Sequence, residues 1–232
     1  MRGVFVTGTG TEVGKTVVAA AIARTAATGG RRVAVFKPAV SGLSDLCGAP
    51  ADHELLRLAA GSEQSDDEIA PYRYRPALSP HVAAELEGEV IDPGRLLSAA
   101  HAAAEGADLM VCEGVGGFLV PLAPHYLVRD LAVELGLPIV IAAPPRLGTI
   151  NHTLLTIESV RAAGLEVASV VLTPWPDWPR ELERGNRDTI AELGEVAVEI
   201  LPRLDLRQPE AWPGLDLSQA PRPRQADLRR AA

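Results

Sequence analysis

A glycine-rich segment close to the amino terminus constrains the fold of this chain more than any other feature. Residues 8–16 read GTGTEVGKT and follow VFVT at 4–7, an apolar run of strand length. Glycines allow the backbone to bend tightly, so that several N–H groups can point toward one centre. An Ala-rich stretch from 14 to 28 predicts a helix that stops at Gly29 and Gly30. A strand, a glycine loop and the positive end of a helix in this order are typical of a phosphate-binding loop.

The spacing within this loop is longer than usual. Five residues separate Gly8 from Gly14, one more than in the common motif, whereas counting from Gly10 gives three. In the expected geometry Lys15 reaches the β- and γ-phosphates and Thr16 offers its hydroxyl to Mg²⁺. The alternative is a glycine-rich turn with a GKT sequence by chance. The strand before the loop and the helix after it favour a loop that binds a nucleoside triphosphate.

The rest of the chain alternates between strand-length apolar runs and helical stretches. Further strands are predicted at 32–36, 107–112, 138–142, 167–172 and 196–201. Helices are predicted at 52–60, 93–105, 126–135, 149–163 and 186–193, and the acidic, proline-containing segment 61–91 is expected to form loops. Such alternation is typical of a mostly parallel sheet with helices on both faces. We expect one α/β domain over residues 1–232, with a loose tail at about 220–232.

The charge balance and the cysteines argue against several classes of protein. The net charge is -8, whereas proteins that bind nucleic acid usually carry a basic face. The two cysteines, Cys47 and Cys112, have the spacing of neither a disulfide framework nor a metal site, and Cys112 ends an apolar run that predicts burial. There is no signal-peptide pattern and no apolar run of about 18 residues. We expect a cytoplasmic protein with no nucleic-acid or membrane partner.

Polar residues follow several of the predicted strands, where parallel sheets bind their ligands. Glu113 ends the run LMVCE, which is where P-loop proteins place a partner for Mg²⁺. Lys37 ends the second strand and could bind a negative substrate group, or it could be a solvated strand-end lysine. Asp52 and the SPH sequence at 79–81 have ordinary alternatives, a helix N-cap and a loop. Asn151, near the start of a helix, is of a type common in helix caps.

One residue type is missing from the loop. P-loop ATPases that act as dimeric switches carry a further lysine near the start of the loop, and residues 9–13 contain none. This favours an enzyme over a partitioning or targeting ATPase.

As a set, these segments resemble the dethiobiotin synthetase family, over about residues 4–175. The matching pieces are FVTGTGTEVGKT (5–16), FKPAVSG (36–42), the aspartate of ADHELL (51–56), SPH (79–81), CEGVGG (112–117) and LGTINHTLLT (147–156). The resemblance implies the fold of P-loop NTPases of the nitrogenase iron protein type. It also implies a ligase of biotin biosynthesis. In that reaction 7,8-diaminopelargonate takes up CO₂ as a carbamate, a nucleoside triphosphate with Mg²⁺ phosphorylates the carbamate, and the second amine closes the cyclic urea of dethiobiotin.

The resemblance also implies roles for individual residues. Lys37, Lys15 and Thr11 are the expected catalytic residues. The expected magnesium ligands are Thr16, Asp52 and Glu113. ATP or another nucleoside triphosphate would contact Glu12, Val13, Gly14, Lys15, Thr16, Val17, Glu113, Gly114, Gly116, Gly117, Thr173 and Pro174. The diamine would contact Thr11, Lys37, Ser41, Gly148, Thr149, Ile150 and Asn151. In the family the last four residues come from the other subunit of a homodimer, so a homodimer is expected.

The chain departs from the family pattern after the fifth predicted strand. The family usually places there an asparagine that reads the nucleobase, and this chain has LTPWPDWP at 172–179. Because proline also removes backbone donors, we hypothesise that nucleotide preference is relaxed or differs from strict ATP. Residues 176–232 match only loosely, and the segment 186–188 either caps a helix near the substrate or has no chemical role.

Two other classes of function share this kind of loop. An amide-forming or cobyrinate-type synthetase usually carries an added glutaminase domain, of which the sequence shows no sign. A nucleotide switch that binds a partner protein predicts slow hydrolysis with no stimulation by a diamine.

Overall fold

The computed structural model describes residues 1–46, 48 and 50–215. Cys47 and the tail expected at about 220–232 therefore lie outside the described residues. The strands within the described part are β1 (Gly3–Gly8), β2 (Val33–Phe36), β3 (Leu109–Glu113), β4 (Pro121–Ala123), β5 (Tyr126–Leu127), β6 (Ile139–Ala143), β7 (Val167–Trp175) and β8 (Val198–Pro202). The helices are α1 (Lys15–Thr28), α2 (Asp52–Ala60), α3 (Asp66–Ile69), α4 (Pro80–Leu86), α5 (Pro93–Ala103), α6 (Val128–Leu135), α7 (Thr149–Ala162) and α8 (Glu181–Gly194).

Six strands form one parallel sheet in the order β2-β3-β1-β6-β7-β8. In the register, Val6 of β1 lies beside Glu113 of β3 and Val140 of β6. The carboxyl ends of β1, β2 and β3 are therefore neighbours at one edge of the sheet. This arrangement confirms the predicted fold class and brings the residues that follow these strands into one region.

Helices cover both faces of the sheet. Because successive strand residues point to opposite faces, neighbouring residues of one strand pack into different cores. Phe5 packs into one core together with residues of α5, α6, α7 and α8. Its neighbour Val6 packs into the other core with residues of α1 and α2. Cys112 is fully buried, as the sequence predicted, and burial raises the pKa of its thiol.

The segment 61–91 contains two short helices, so the expectation of loops alone was wrong. In α3 the side chain of Ser65 accepts a hydrogen bond from Glu68 N, and Glu68 Oε2 accepts one from Ser65 N at 2.7 Å. Helix α4 begins with Pro80, a residue suited to the first helical position. Helices this short are set by their ends rather than by apolar periodicity, which explains why the pattern missed them.

Two further boundaries differ from the prediction. Residues 126 and 127 form β5, which pairs with β4 in a small antiparallel hairpin, so the predicted helix at 126–135 begins only at Val128. Helix α8 begins at Glu181, where the backbone N–H of Arg180 donates to Glu183 Oε2 at 2.7 Å. The helix at 93–105 is confirmed as α5, and Asp92 accepts a hydrogen bond from Gly94 N as its N-cap.

The free edge of β2 is covered by a side chain. The amide of Gln64 accepts a hydrogen bond from Val35 N at 2.9 Å and donates one to Val35 O at 3.1 Å. Further along the same edge, Lys37 N donates to Ile69 O at 2.8 Å. Within the described residues, no helix is long and apolar enough to cross a membrane.

Candidate active site

The glycine-rich loop closes tightly between β1 and α1. Gly14 is the residue before the helix and has φ 91°, a conformation that favours glycine. A Cβ atom at this position would lie 2.5 Å from Thr173 Cγ2, so the loop also packs closely against β7. Lys15 Nζ donates to the carbonyl of Gly10 at 2.8 Å. Burial lowers the pKa of Lys15 to about 8, although the nearby Glu113 carboxylate opposes the shift.

Three segments bring one lysine and two carboxylates together beside this loop. Lys37 follows β2, and its Nζ lies 2.7 Å from Asp52 Oδ2 and 2.6 Å from Glu113 Oε1. The Thr16 hydroxyl lies 3.0 Å from Asp52 Oδ1 and 2.9 Å from Glu113 Oε1. Asp52 opens α2 and Glu113 ends β3, so each group comes from a different element. The sequence put these four residues at one site, and the structure brings them into contact.

Burial and the neighbouring charges shift the pKa values of Lys37, Asp52 and Glu113. Burial by itself lowers the pKa of Lys37, but Glu113 and Asp52 outweigh it and the pKa is raised. Burial favours a higher pKa for Asp52, but the Lys37 ammonium and the Thr16 hydroxyl hold it below its usual range. Glu113 is completely buried, and this raises the pKa of its carboxyl while Lys37 opposes the shift. We therefore describe Lys37 as a charged group held between two acidic side chains.

The ordinary alternatives for two residues are not what the structure shows. The N-cap of α2 is Ala51, and the side chain of Asp52 turns toward Thr16 and Lys37. The N-cap of α7 is Gly148 at φ 91°. Thr149 is buried, and its hydroxyl lies 3.5 Å from that of Thr153. Asn151 lies inside α7, so neither Asp52 nor Asn151 is a helix cap.

A cavity of about 920 Å³ opens over the cluster. Of the residues expected at the site, those that line it are Thr11, Glu12, Gly14, Lys15, Thr16, Val17, Lys37, Ser41, Asp52, Glu113 and Gly116. Ser79 and Pro80 of the SPH sequence also contribute to its wall. The expected residues outside its wall are Val13, Gly114, Gly117, Thr173, Pro174, Gly148, Thr149, Ile150 and Asn151. One chain thus assembles the phosphate and lysine part of the predicted site, but not the helix start at 148–151.

Sequence reasoning missed some residues of the cavity wall. Asp45 belongs to a short 3-10 turn, Leu43–Asp45, and Leu206 belongs to the segment after β8. That segment is fixed by two hydrogen bonds, from Trp212 Nε1 to Asp205 O at 2.8 Å and from Leu215 N to Thr25 Oγ1 at 2.9 Å. No local sequence pattern predicts the second of these contacts, because Thr25 and Leu215 are 190 positions apart in the chain.

The sequence left open whether the segment 186–188 caps a helix or has no chemical role. Asn186 lies inside α8, with 4% of its surface exposed, and does not cap a helix. Its side-chain amide donates to the carbonyls of Pro145 and Arg146, at 3.1 Å and 3.2 Å. These carbonyls belong to the loop that leads into α7, so Asn186 positions the start of that helix.

Similarity to known proteins identifies the family to which this chain belongs. A family model described as an AAA domain matches residues 2–210. ATP-dependent dethiobiotin synthetase BioD of Bacillus subtilis (strain 168) is 38% identical over 205 residues, which cover 88% of each chain. The protein of the same name from Anaeromyxobacter dehalogenans (strain 2CP-C) is 45% identical over 172 residues, covering 74% of this chain and 76% of its own. The chain belongs to the dethiobiotin synthetase family.

Solved structures agree on the fold of this family member. Pyrococcus furiosus cell division ATPase MinD matches with a TM-score of 0.53 and 18% identity, covering 87% of this chain and 84% of that chain. A ParA family ATPase from Chlorobium tepidum matches with a TM-score of 0.52 and 13% identity, covering 90% and 89%. At this level of identity the likeness shows the P-loop NTPase fold alone. The dethiobiotin synthetase family is the one that the sequence resemblance indicated.

Proposed function

We propose that the protein is the ligase that forms dethiobiotin from 7,8-diaminopelargonate, CO₂ and a nucleoside triphosphate. The observation that carries the proposal is the joining of Lys15, Lys37, Asp52 and Glu113 in one cavity at the carboxyl edge of the sheet. The family relatives bear the name of this activity. Phosphoryl transfer depends mainly on positioning and charge stabilisation, which this set of groups can supply.

The phosphate end of the cavity is formed by the glycine-rich loop. Lys15 would exchange its bond to the Gly10 carbonyl for the β- and γ-phosphates. The first residues of α1 add the positive end of the helix. Gly114 and Gly117 would allow the backbone after β3 to approach the nucleotide closely. The backbone amides of Glu12 and Val13 would help to hold the phosphates.

Thr16, Asp52 and Glu113 fit a magnesium site. All three offer hard oxygen atoms, and the buried Oε2 of Glu113 has no hydrogen-bond partner. Among the described residues there is no group of three or more His, Cys, Asp or Glu side chains that could hold a metal ion. Two carboxylates and a hydroxyl still suit Mg²⁺, which retains several water molecules and binds phosphate oxygens. When bound, Mg²⁺ would offset the negative charge of the transferring phosphate.

We propose that Lys37 and Thr11, which line the cavity, bind the carbamate. One amine of the diamine attacks CO₂ and loses a proton, giving an anionic carbamate. A carbamate oxygen then attacks the γ-phosphorus and expels the nucleoside diphosphate. The second amine attacks the carbamate carbon, expels phosphate and loses its proton as the cyclic urea closes. The ammonium of Lys37 would stabilise the negative charge in these steps, while Ser41 contacts the diamine.

The carboxylate of the diamine requires a further anion site, for which we propose the start of α7 in a second copy of the chain. The amides of 148–151 suit an anion, but within one chain they lie outside the cavity. Leu119 and Leu155 are 52% and 56% exposed and line one surface pocket beside His152, and Leu147, just before α7, is 83% exposed. Contiguous exposed apolar side chains often mark an interface. A homodimer would bury them. Mixing a Lys37→Met variant with an Asn151→Ala variant should restore activity if each site uses both subunits.

The nucleobase contact is the least specified part of the site. Thr173 is buried and Pro174 is exposed at the end of β7, and neither side chain offers an amide that could read a base edge. We therefore propose that ATP is not strongly preferred over other triphosphates. A panel of triphosphates in which ATP is favoured by more than about 100-fold would contradict this.

Phosphate release tests the activity as a whole. Purified protein is assayed with Mg²⁺, bicarbonate and ATP or CTP, with and without 7,8-diaminopelargonate. The proposal expects strong stimulation by the diamine, with formation of the cyclic urea. Slow hydrolysis without stimulation, across the whole triphosphate panel, would instead support a nucleotide switch.

A further inference from the structure

A short turn after Lys37 carries an acidic side chain into the wall of the cavity. Residues 42–44 are fixed by backbone hydrogen bonds to 74–76, among them Gly42 N to Pro76 O at 2.9 Å. Asp45 N donates to the carbonyl of Gly42 at 3.0 Å, which closes the turn. The position of Asp45 is therefore set by the backbone, and its side chain lines the same cavity as Ser41.

Two of the other three carboxylates of the cavity are engaged by Lys37, whereas Glu12, like Asp45, takes part in no ion pair among the described residues. Four acidic residues line the cavity, and two of them, Asp52 and Glu113, contact Lys37. A third, Glu12, lies in the phosphate loop. Within the described part of the chain, Asp45 takes part in no ion pair. Asp45 is thus a carboxylate without an ion-pair partner in the part of the chain that the structure describes, and it lies in the cavity wall just after Ser41 and outside the glycine-rich loop.

We infer that Asp45 recognises the second ammonium group of the diamine substrate. The inference rests on the proposed function. A vicinal diamine places two nitrogen atoms on adjacent carbons, and only one of them becomes the carbamate beside Lys37. The other can be held as an ammonium group while the carbamate forms, with a carboxylate as its counter-ion, and it loses its proton to solvent before its lone pair attacks the carbamate carbon. Ala77 and Leu78 lie on the same cavity and offer apolar contact for the carbon chain.

The expected effect is moderate, because Asp45 is exposed and solvent screens its charge. In the variant Asp45→Asn the KM for the diamine should rise about five- to tenfold. The kcat and the KM for the nucleoside triphosphate should change less than about twofold. Asp45→Glu should recover part of the diamine affinity, because it keeps the charge. Glu63→Gln is the matched control, since Glu63 is an exposed carboxylate that lines a different cavity.

A substrate analogue with one amine separates recognition of charge from a general change in the loop. Wild-type protein should bind the diamine more tightly than a monoamine analogue, and Asp45→Asn should lose most of that preference. An unchanged diamine KM in Asp45→Asn, with active wild-type protein, overturns the assignment of Asp45 alone. An equal loss of affinity for both compounds also overturns it, because that result indicates a structural role. Wild-type protein with no diamine-dependent phosphate release would remove the proposed function itself.

Discussion

The ammonium of Lys37 lies 2.6 Å from Glu113 Oε1, and both side chains are almost completely buried, with 3% and 0% of their surface exposed. Replacing one member of such a pair leaves the other charge without a partner, which is more damaging than replacing both. We expect Lys37→Met to abolish activity and to lower the free energy of unfolding by about 3 kcal/mol.

The double variant Lys37→Met with Glu113→Gln provides the control for this first prediction. It should recover much of the stability lost in the single variant while remaining inactive. Urea unfolding followed by circular dichroism measures the free energy of unfolding of the single and the double variant. Equal stabilities of the single variant and wild type would show that the pair contributes nothing.

The lowered pKa of Lys15 predicts that nucleotide affinity depends on pH. Burial puts the pKa at about 8 in the free protein, and bound phosphates must raise it because they favour the charged form. Affinity should therefore be constant below the free pKa and fall as the pH rises above it, by at most about tenfold per unit. Titration calorimetry at pH 7 to about 9.5 measures the affinity, and buffers of different ionisation enthalpy report the proton taken up. In Lys15→Arg the dependence should disappear, since a guanidinium stays charged; a flat profile for wild type would contradict the prediction.

Gly14 and Gly185 should respond in opposite ways to the same substitution. Gly14→Ala forces a side chain into φ 91° and places its Cβ 2.5 Å from Thr173 Cγ2, so we expect a loss of about 2 kcal/mol of stability and weak nucleotide binding. Gly185 lies inside α8, where an added Cβ would have no atom outside its own helix turn within 4 Å, and Gly185→Ala should add up to about 1 kcal/mol. Thermal unfolding and nucleotide titration compare the two. A harmless Gly14→Ala would mean that the loop is not held in this conformation.

Asn186 should affect substrate binding without touching substrate. Asn186→Ala removes the donors to the carbonyls of Pro145 and Arg146, which costs about 1–2 kcal/mol and loosens the start of α7. We expect a higher KM for the diamine and an unchanged KM for the nucleoside triphosphate. Glu192→Ala, an exposed change on the same helix, is the control. A rise in both KM values, or in neither, would argue against this role.

The parts of the molecule that follow from local patterns were predicted well. Strand-length apolar runs and glycine stops gave the alternating strands and most helices, because these signals act over a few residues. The rule that ligands bind at the carboxyl ends of parallel strands placed Lys37 and Glu113 in one region, although 76 positions separate them in the chain.

The remaining features depend on contacts between distant segments. The short helix α3 is fixed by its Ser65 cap and α4 begins at Pro80, so apolar periodicity could not reveal them. Asp45 and Leu206 lie in segments that are held by hydrogen bonds to residues distant in the chain, from 42–44 to 74–76 and from Leu215 to Thr25. The sequence left open whether Asn186 caps a helix or has no chemical role, whereas its amide donates to carbonyls about 40 residues away.

The side-chain amide of Gln64 has a consequence for how copies of this protein can associate. An unpaired strand edge is a template on which a strand of another molecule can align. The N–H and C=O groups of Val35 are both hydrogen-bonded to the side-chain amide of Gln64, as they would be to the backbone of a neighbouring strand. A strand of another molecule therefore cannot pair with Val35, and Gln64→Ala would free both of its backbone groups for such pairing.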